Sequence, residues 1–156
     1  MPLMQEVRRI LLAGGDRGLR ADGASSALYV MVMADGIAAK VGALERADNA
    51  VLRLQAVERK QRIRHPDEAA YPMRLAVVAE LDGLDVSGPD ADEAWSRTTH
   101  FETLMRFVLA RRLGRMAAWP DWIWLDRTPK DDDWVSEMTT AWAEILRLGA
   151  GEGSTW

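Results

Sequence analysis

Acid–base or metal chemistry in this chain must come from carboxylates and two histidines, His65 and His100, because the sequence contains no cysteine. Thiolate nucleophiles, zinc–thiolate sites and disulfides are thereby excluded. His100 and Glu102 are two residues apart, a spacing that does not place them together on a helical face. Asp131, Asp132 and Asp133 have the composition of a metal site, but consecutive carboxylates diverge. They lack the alternate ligands, central glycine and final glutamate of a calcium loop, so they read as a helix cap. Glu80, Asp82, Asp85, Asp90, Asp92 and Glu93 form an acidic strip without a basic residue. It reads as a solvated turn, with a basic partner or a mimic of a phosphate backbone as the alternative. Gly14, Gly15 and Gly18 lack the Gly-Lys-Ser/Thr ending of a phosphate loop, and no nucleophile elbow or dinucleotide fingerprint is present. No catalytic residue, metal or cofactor follows from the sequence; an enzyme would need a site assembled in three dimensions from dispersed Asp and Glu with His100.

Binding chemistry has more support. All seven tryptophans fall in the last 62 residues, and indoles often anchor contact surfaces. The segment Trp119-Pro120-Asp121-Trp122-Ile123-Trp124-Leu125 is predicted to be extended, with Trp122 and Trp124 on one side and Ile123 and Leu125 on the other. Those two indoles either lie at the surface or close the core. Trp119, Trp122, Trp124, Arg127 and Trp156 are accordingly the candidate partner surface, while Trp142 and Trp95 read as core and Trp134 as a helix-start residue. The leading expectation is a non-enzymatic protein–protein interaction protein, an accessory, adaptor or assembly component of a bacterium or phage, acting through a protein partner or self-association. A third reading is nucleic-acid binding through the run Arg59-Lys60-Gln61-Arg62-Ile63-Arg64, with Arg59, Lys60, Arg62 and Arg64 on phosphates. The run lacks interleaved aromatics, and its plainer explanation is a solvated helix end whose cations suit the dipole.

The elements that must position these residues are read from periodicity. At 156 residues, with 48% hydrophobic and 28% charged residues, one globular domain is expected. No apolar run is long enough to span a membrane, and Met1 to Glu6 offers no secretory signal, so a cytoplasmic location is expected. Arginine outnumbers lysine seventeen to three, as in GC-rich coding. The net charge of −4 divides into +4 over residues 1–66 and −8 over 67–156. Leu3, Val7, Ile10 and Leu11 predict a helix over 3–13, and 14–23 a glycine-rich loop. Residues 24–64 read as broken helix, or as a strand at 28–33 followed by a helix from about 43. His65-Pro66 stops that element, and Pro72 opens either a helix capped by Gly83 or a strand over 73–81. Helices over 91–118 and 133–148 are the clearest, through Phe101, Leu104, Met105, Val108, Leu109, Leu113 and Met116 in the first and Val135, Met138, Trp142 and Ile145 in the second. The expected architecture is mainly α, a single-domain bundle of four to six helices over 1–149 with a flexible tail at 150–156. The alternative is α+β, with a small sheet from 28–33 and 73–81.

Overall fold

A six-stranded mixed sheet organises the chain. The computed structural model describes residues 8–12, 25–64, 73–81, 84, 86, 88–118 and 121–150, apart from the side chains at 62, 64, 149 and 150. The loop expected at 14–23, the stop at His65-Pro66, the helix start at Pro72, the Gly83 cap and the tail from residue 151 lie outside the described residues. The strands are β1 (Arg9–Leu12), β2 (Ala27–Val32), β3 (Ala38–Leu44), β4 (Arg74–Leu81), β5 (Gly114–Met116) and β6 (Trp122–Leu125). They are ordered β1-β4-β2-β3-β6-β5, with β1 parallel to β4 and the other pairs antiparallel. Three helices accompany them: α1 (Ala50–Arg64), α2 (Ala91–Leu113) and α3 (Asp131–Ala150). The fold is α+β, and the expected bundle of four to six helices is wrong.

The physical reason lies in the central strands. Every residue of β2 is buried, because the helix pair α2 and α3 covers one face of the sheet and α1 lies on the other. A strand buried on both faces shows no apolar–polar alternation, so the helical spacing of Leu28, Met31 and Val32 is coincidental. In β4 a bulge hides the period further. Val30 pairs with Val77 and Met31 with Leu75, leaving Ala76 as the extra residue. Ala76 and Val77 therefore both face the helix pair, while Leu75 and Val78 face α1's side. The helix expected over 3–13 is likewise corrected: Arg9–Leu12 pairs in parallel with β4, from Arg9 opposite Val78 to Leu12 opposite Leu81.

The two clear helices carry the main core. Met105, Val108, Leu109 and Leu113 of α2 are buried, and Phe101 meets the Trp142 ring of α3 edge-on with centroids 4.9 Å apart. Trp134, Met138, Ala141 and Ile145 complete the α3 face. The first-turn aspartates of α3 also tie it to the sheet: Asp131 binds Arg74 at 2.9 Å and Asp132 binds Arg8 at 2.7 Å. Helix α2 ends at Leu113, five residues earlier than its periodicity predicts, because Gly114 leads straight into the edge strand β5. A β-carbon on Gly114 would lie 1.8 Å from the carbonyl oxygen of Trp124, so only glycine permits this approach to β6.

Helix α1 is different. Ala50 is buried in the sheet's second core and Leu54 and Val57 pack against it, while Val51, Leu52 and Ile63 stay exposed. A helix held by so few apolar contacts leaves space beside it. Among the described residues no helix is long and apolar enough to cross a membrane.

Candidate functional site

The site begins where β6 leaves β3. The two strands pair only at Ala38, Ala39 and Lys40, opposite Trp124, Ile123 and Trp122. At Asp121 the backbone turns into the left-handed region, with φ of 74°, a conformation that Asp tolerates better than most side chains. The edge of β3 is then completed by other groups. The Val41 amide donates to the Asp121 carbonyl at 2.9 Å, and the Val41 carbonyl accepts from the Arg106 guanidinium of α2 at 3.2 Å. The next residue, Gly42, has no side chain, and Tyr29 from the paired position on β2 lies across it. A β-carbon at Gly42 would sit 2.2 Å from the Tyr29 hydroxyl oxygen. The missing side chain thus gives the tyrosine passage to the sheet margin.

An open cleft of about 540 Å³ results. Tyr29, Gly42 and Trp122 contribute the sheet side of it. Arg53, Val57 and Lys60 line it from α1, at the i, i+4, i+7 spacing of one helical face. Trp95 and Glu102 of α2, with Asp121, form a third side. Arg53 and Lys60 are exposed and have no carboxylate partner among the described residues. Lys40 is already engaged: its Nζ lies 3.3 Å from Asp121 Oδ2 and 5.9 Å from the centre of the Trp122 ring.

Charge is densest around Arg106. Its guanidinium binds Glu102 one turn back, as an i, i+4 pair, and Asp121 Oδ1 at 2.8 Å. Burial pushes the Glu102 carboxyl above its ordinary range. Arg106 opposes that shift, while the charge of Asp121 and its hydrogen bond to Glu102 reinforce it. Burial likewise pushes Tyr29 up to about 12, against the nearby Arg53 cation. At neutral pH the phenol is therefore a proton-bearing donor, whereas Glu102 is moved toward the range where a carboxyl can exchange protons.

No family model, curated protein or solved structure matches this chain. The geometry therefore carries the functional argument unaided.

The sequence-derived candidates are dispersed. Alternation within β6 is as expected: Trp122 and Trp124 face the second core, Ile123 and Leu125 the helix pair. Trp122 is 3% exposed and Trp124 half-buried, and Arg127 is bound to Glu137 of α3 at 2.6 Å. Trp119 and Trp156 lie outside the described residues. The tryptophan-rich surface is corrected accordingly, since the described indoles form no aromatic cluster; Trp142 lies in the core as expected, and Trp134, read as a helix-start residue, is a core residue too. Of the basic run, Lys60 lines the cleft and Arg59 is exposed on α1; the side chains of Arg62 and Arg64 are outside the description. His100 is exposed on α2 and is not among the residues lining the cleft, and His65 is not described. Within the acidic strip, Glu80 is buried on β4 and pairs with Arg9 at 3.4 Å. No group of three or more metal-ligating side chains occurs among the described residues.

Tyr29, Gly42, Arg53 and Asp121 were not singled out by sequence reasoning. Their one legible signal is the Arg53–Val57–Lys60 spacing on a helix that carries five basic residues and one acidic residue. The opposition of Tyr29 to Gly42 becomes visible only once β2 and β3 are paired.

Proposed function

We propose that the protein binds the phosphodiester backbone of a nucleic acid in this cleft and hydrolyses it there. The observation that carries the reading is a pair of cations, Arg53 and Lys60, that have no carboxylate partner among the described residues and line an open cleft together with Glu102 and Tyr29. Structural ion pairs neutralise themselves. Here two cations line a cleft without a carboxylate partner among the described residues, on a helix rich in Arg and Lys, which suits a phosphate.

The chemistry follows from the same groups. Arg53 and Lys60 neutralise the phosphate, and the Arg53 fork stabilises the charge that builds on its equatorial oxygens. Glu102 as carboxylate takes a proton from the attacking water, whose oxygen forms the new P–O bond. The ester P–O bond on the opposite side breaks, and the leaving alkoxide takes a proton from solvent. Tyr29 O–H donates to a phosphate oxygen and orients it. Removal of one such proton-transfer group costs roughly 10²–10⁴-fold in rate.

The test uses the full chain with fluorescein-labelled single- and double-stranded oligonucleotides, with and without magnesium. Salt-dependent binding and strand cleavage are expected. Arg53→Ala with Lys60→Ala should weaken binding at least 10-fold and flatten its salt dependence. Glu102→Gln should bind normally and cleave at least about 100-fold more slowly. Absence of salt-dependent binding at low ionic strength overturns the reading, and binding without cleavage overturns its hydrolytic half.

A further inference from the structure

The proposed reaction uses Glu102 but leaves unexplained why two further charged groups are built around it. Arg106 is nearly fully buried, with a side chain about 10% exposed, yet it does not face the open part of the cleft as Arg53 and Lys60 do. Its acceptors lie on three different segments: the Val41 carbonyl on β3, Glu102 on α2 and Asp121 at the turn before β6. Asp121 holds its left-handed backbone at the point where β6 departs, accepts from the Val41 amide, and binds Lys40 through its second carboxylate oxygen. The same two residues that finish the β3 edge therefore also bracket Glu102, one with each sign of charge.

We propose that Arg106 and Asp121 are positioning residues, a pair of opposite charges that fixes the Glu102 carboxyl at the cleft margin and sets the pH range over which it exchanges protons. The proposal rests on the cleft being the working site. The charged and titratable groups at the cleft are Tyr29 from β2, Lys40 from β3, Arg53 and Lys60 from α1, Glu102 and Arg106 from α2, and Asp121 from the turn, whereas β6 adds only Trp122. Of these, Arg106 and Asp121 act most strongly on Glu102, and they do so in opposite senses, while Tyr29 also lies in the field of Glu102. Lys40 acts through Asp121, by holding the carboxylate that Arg106 also holds. A left-handed non-glycine residue is a strain that native structures retain mainly where surrounding contacts determine it, often at working sites.

Asp121→Asn is the informative variant, because asparagine tolerates the same backbone and nearly the same shape while removing the charge. Arg106→Met keeps much of the buried stem and removes the cation. The Glu102 carboxyl is followed by carbon-detected NMR across pH in the full chain, and oligonucleotide turnover is measured in parallel. Asp121→Asn should move the Glu102 titration, and with it the acid limb of the turnover profile, to lower pH. Arg106→Met should move both to higher pH. Both variants should lower kcat with KM changed less than about threefold, since Arg53 and Lys60 remain. Titrations that move in the same direction, or a Glu102 that ignores Asp121→Asn, overturn the proposal. The NMR titration decides the matter even if no oligonucleotide is cleaved, so failure of the phosphodiester reading is distinguishable. Should Arg106→Met fail to fold, the sign of the Asp121→Asn shift alone decides.

Discussion

Gly42→Ala tests the architecture of the cleft with one methyl group. The added β-carbon would lie 2.2 Å from the Tyr29 hydroxyl oxygen, 2.3 Å from Cζ and 2.7 Å from Cε1. Unstrained heavy-atom contacts need roughly 3.5 Å, so the outer edge of the ring must retreat by more than about 1 Å. Tyr29 is 2% exposed and sits in a packed layer with Met31 and Trp122, which leaves little room for retreat. Overpacking of this kind costs about 1–3 kcal/mol. For a chain of this length that corresponds to a fall in Tm of roughly 3–9 °C. Function should suffer more than stability, because a displacement of about 1 Å at a working group can cost on the order of 100-fold in rate. Thermal unfolding and oligonucleotide turnover are measured for Gly42→Ala alone and together with Tyr29→Val. The double variant should recover most of the lost stability and none of the turnover. Unchanged Tm and turnover in Gly42→Ala would refute the placement of Tyr29 across Gly42. Recovery of turnover in the double variant would refute any role for the phenol.

Two further outcomes follow from other parts of the fold. Gly114→Ala should be the more damaging glycine change, at about 3 kcal/mol or more, since its obstacle is the Trp124 backbone and not a movable ring; urea unfolding checks it, and a loss under 1 kcal/mol would contradict the β5–β6 approach. Glu137 is 12% exposed and bound by Arg112 at 3.0 Å and Arg127 at 2.6 Å. Burial raises its pKa, but the hydrogen bonds from Arg127 and Arg112 outweigh that and lower it overall. Its stabilisation is thus present above the unfolded carboxyl range, near 4.3, and is lost as pH falls through the folded value. Glu137→Gln should cost about 1 kcal/mol at pH 7, discounted for the exposed Arg127, and nothing once the native carboxyl is protonated. A cost that persists in acid would show that packing, not charge, is responsible.

How far the sequence was legible depended on what each segment buries. Helices α2 and α3 bury one face and expose another, so Met105, Val108, Leu109, Met138 and Ile145 declared themselves at helical spacing. Strands β2 and β4 bury both faces, and the bulge at Ala76 cancels even the remaining alternation, so neither could be separated from a helix by period. Strand β5 is only three residues long and follows α2 without a loop; the sole hint was Gly114. The working cleft was less legible still. Tyr29 and Gly42 are 13 positions apart and Glu102 and Asp121 are 19 apart, and only the pairing of β2 with β3 and the turn at Asp121 bring them together. Tryptophan enrichment pointed to the correct stretch for a different reason. Trp122 lies buried on the cleft's sheet side, and Trp134 and Trp142 pack the core, where large apolar surface is needed.

An acidic chain is an unexpected host for the proposed phosphate site, and its ion pairs bear on how the two would coexist. Several of the described carboxylates beyond residue 66 are held in ion pairs by cations of the same fold. Asp131 and Asp132 hold Arg74 and Arg8, Glu144 holds Arg111, and Glu137 holds both Arg112 and Arg127. Asp121 and Glu102 share Arg106, with Lys40 on the far side of Asp121. Such pairs cancel over a few ångströms, and at physiological ionic strength their residual fields die away within about 8 Å. Arg53, Arg59 and Lys60 have no such partner among the described residues and are exposed on α1, so the proposed site would draw on their local positive charge although the chain's net charge is −4. The balance that governs binding is local. Reversing it requires charges on α1, and adding carboxylates to the exposed side of α3 should leave oligonucleotide binding nearly unchanged at 0.15 M salt. Glu substitutions at Ser136 and Thr140, both exposed on α3, set against Arg53→Glu on α1, separate a local field from a global one. Equal losses of binding would mean that net charge, and not the cleft, attracts the nucleic acid.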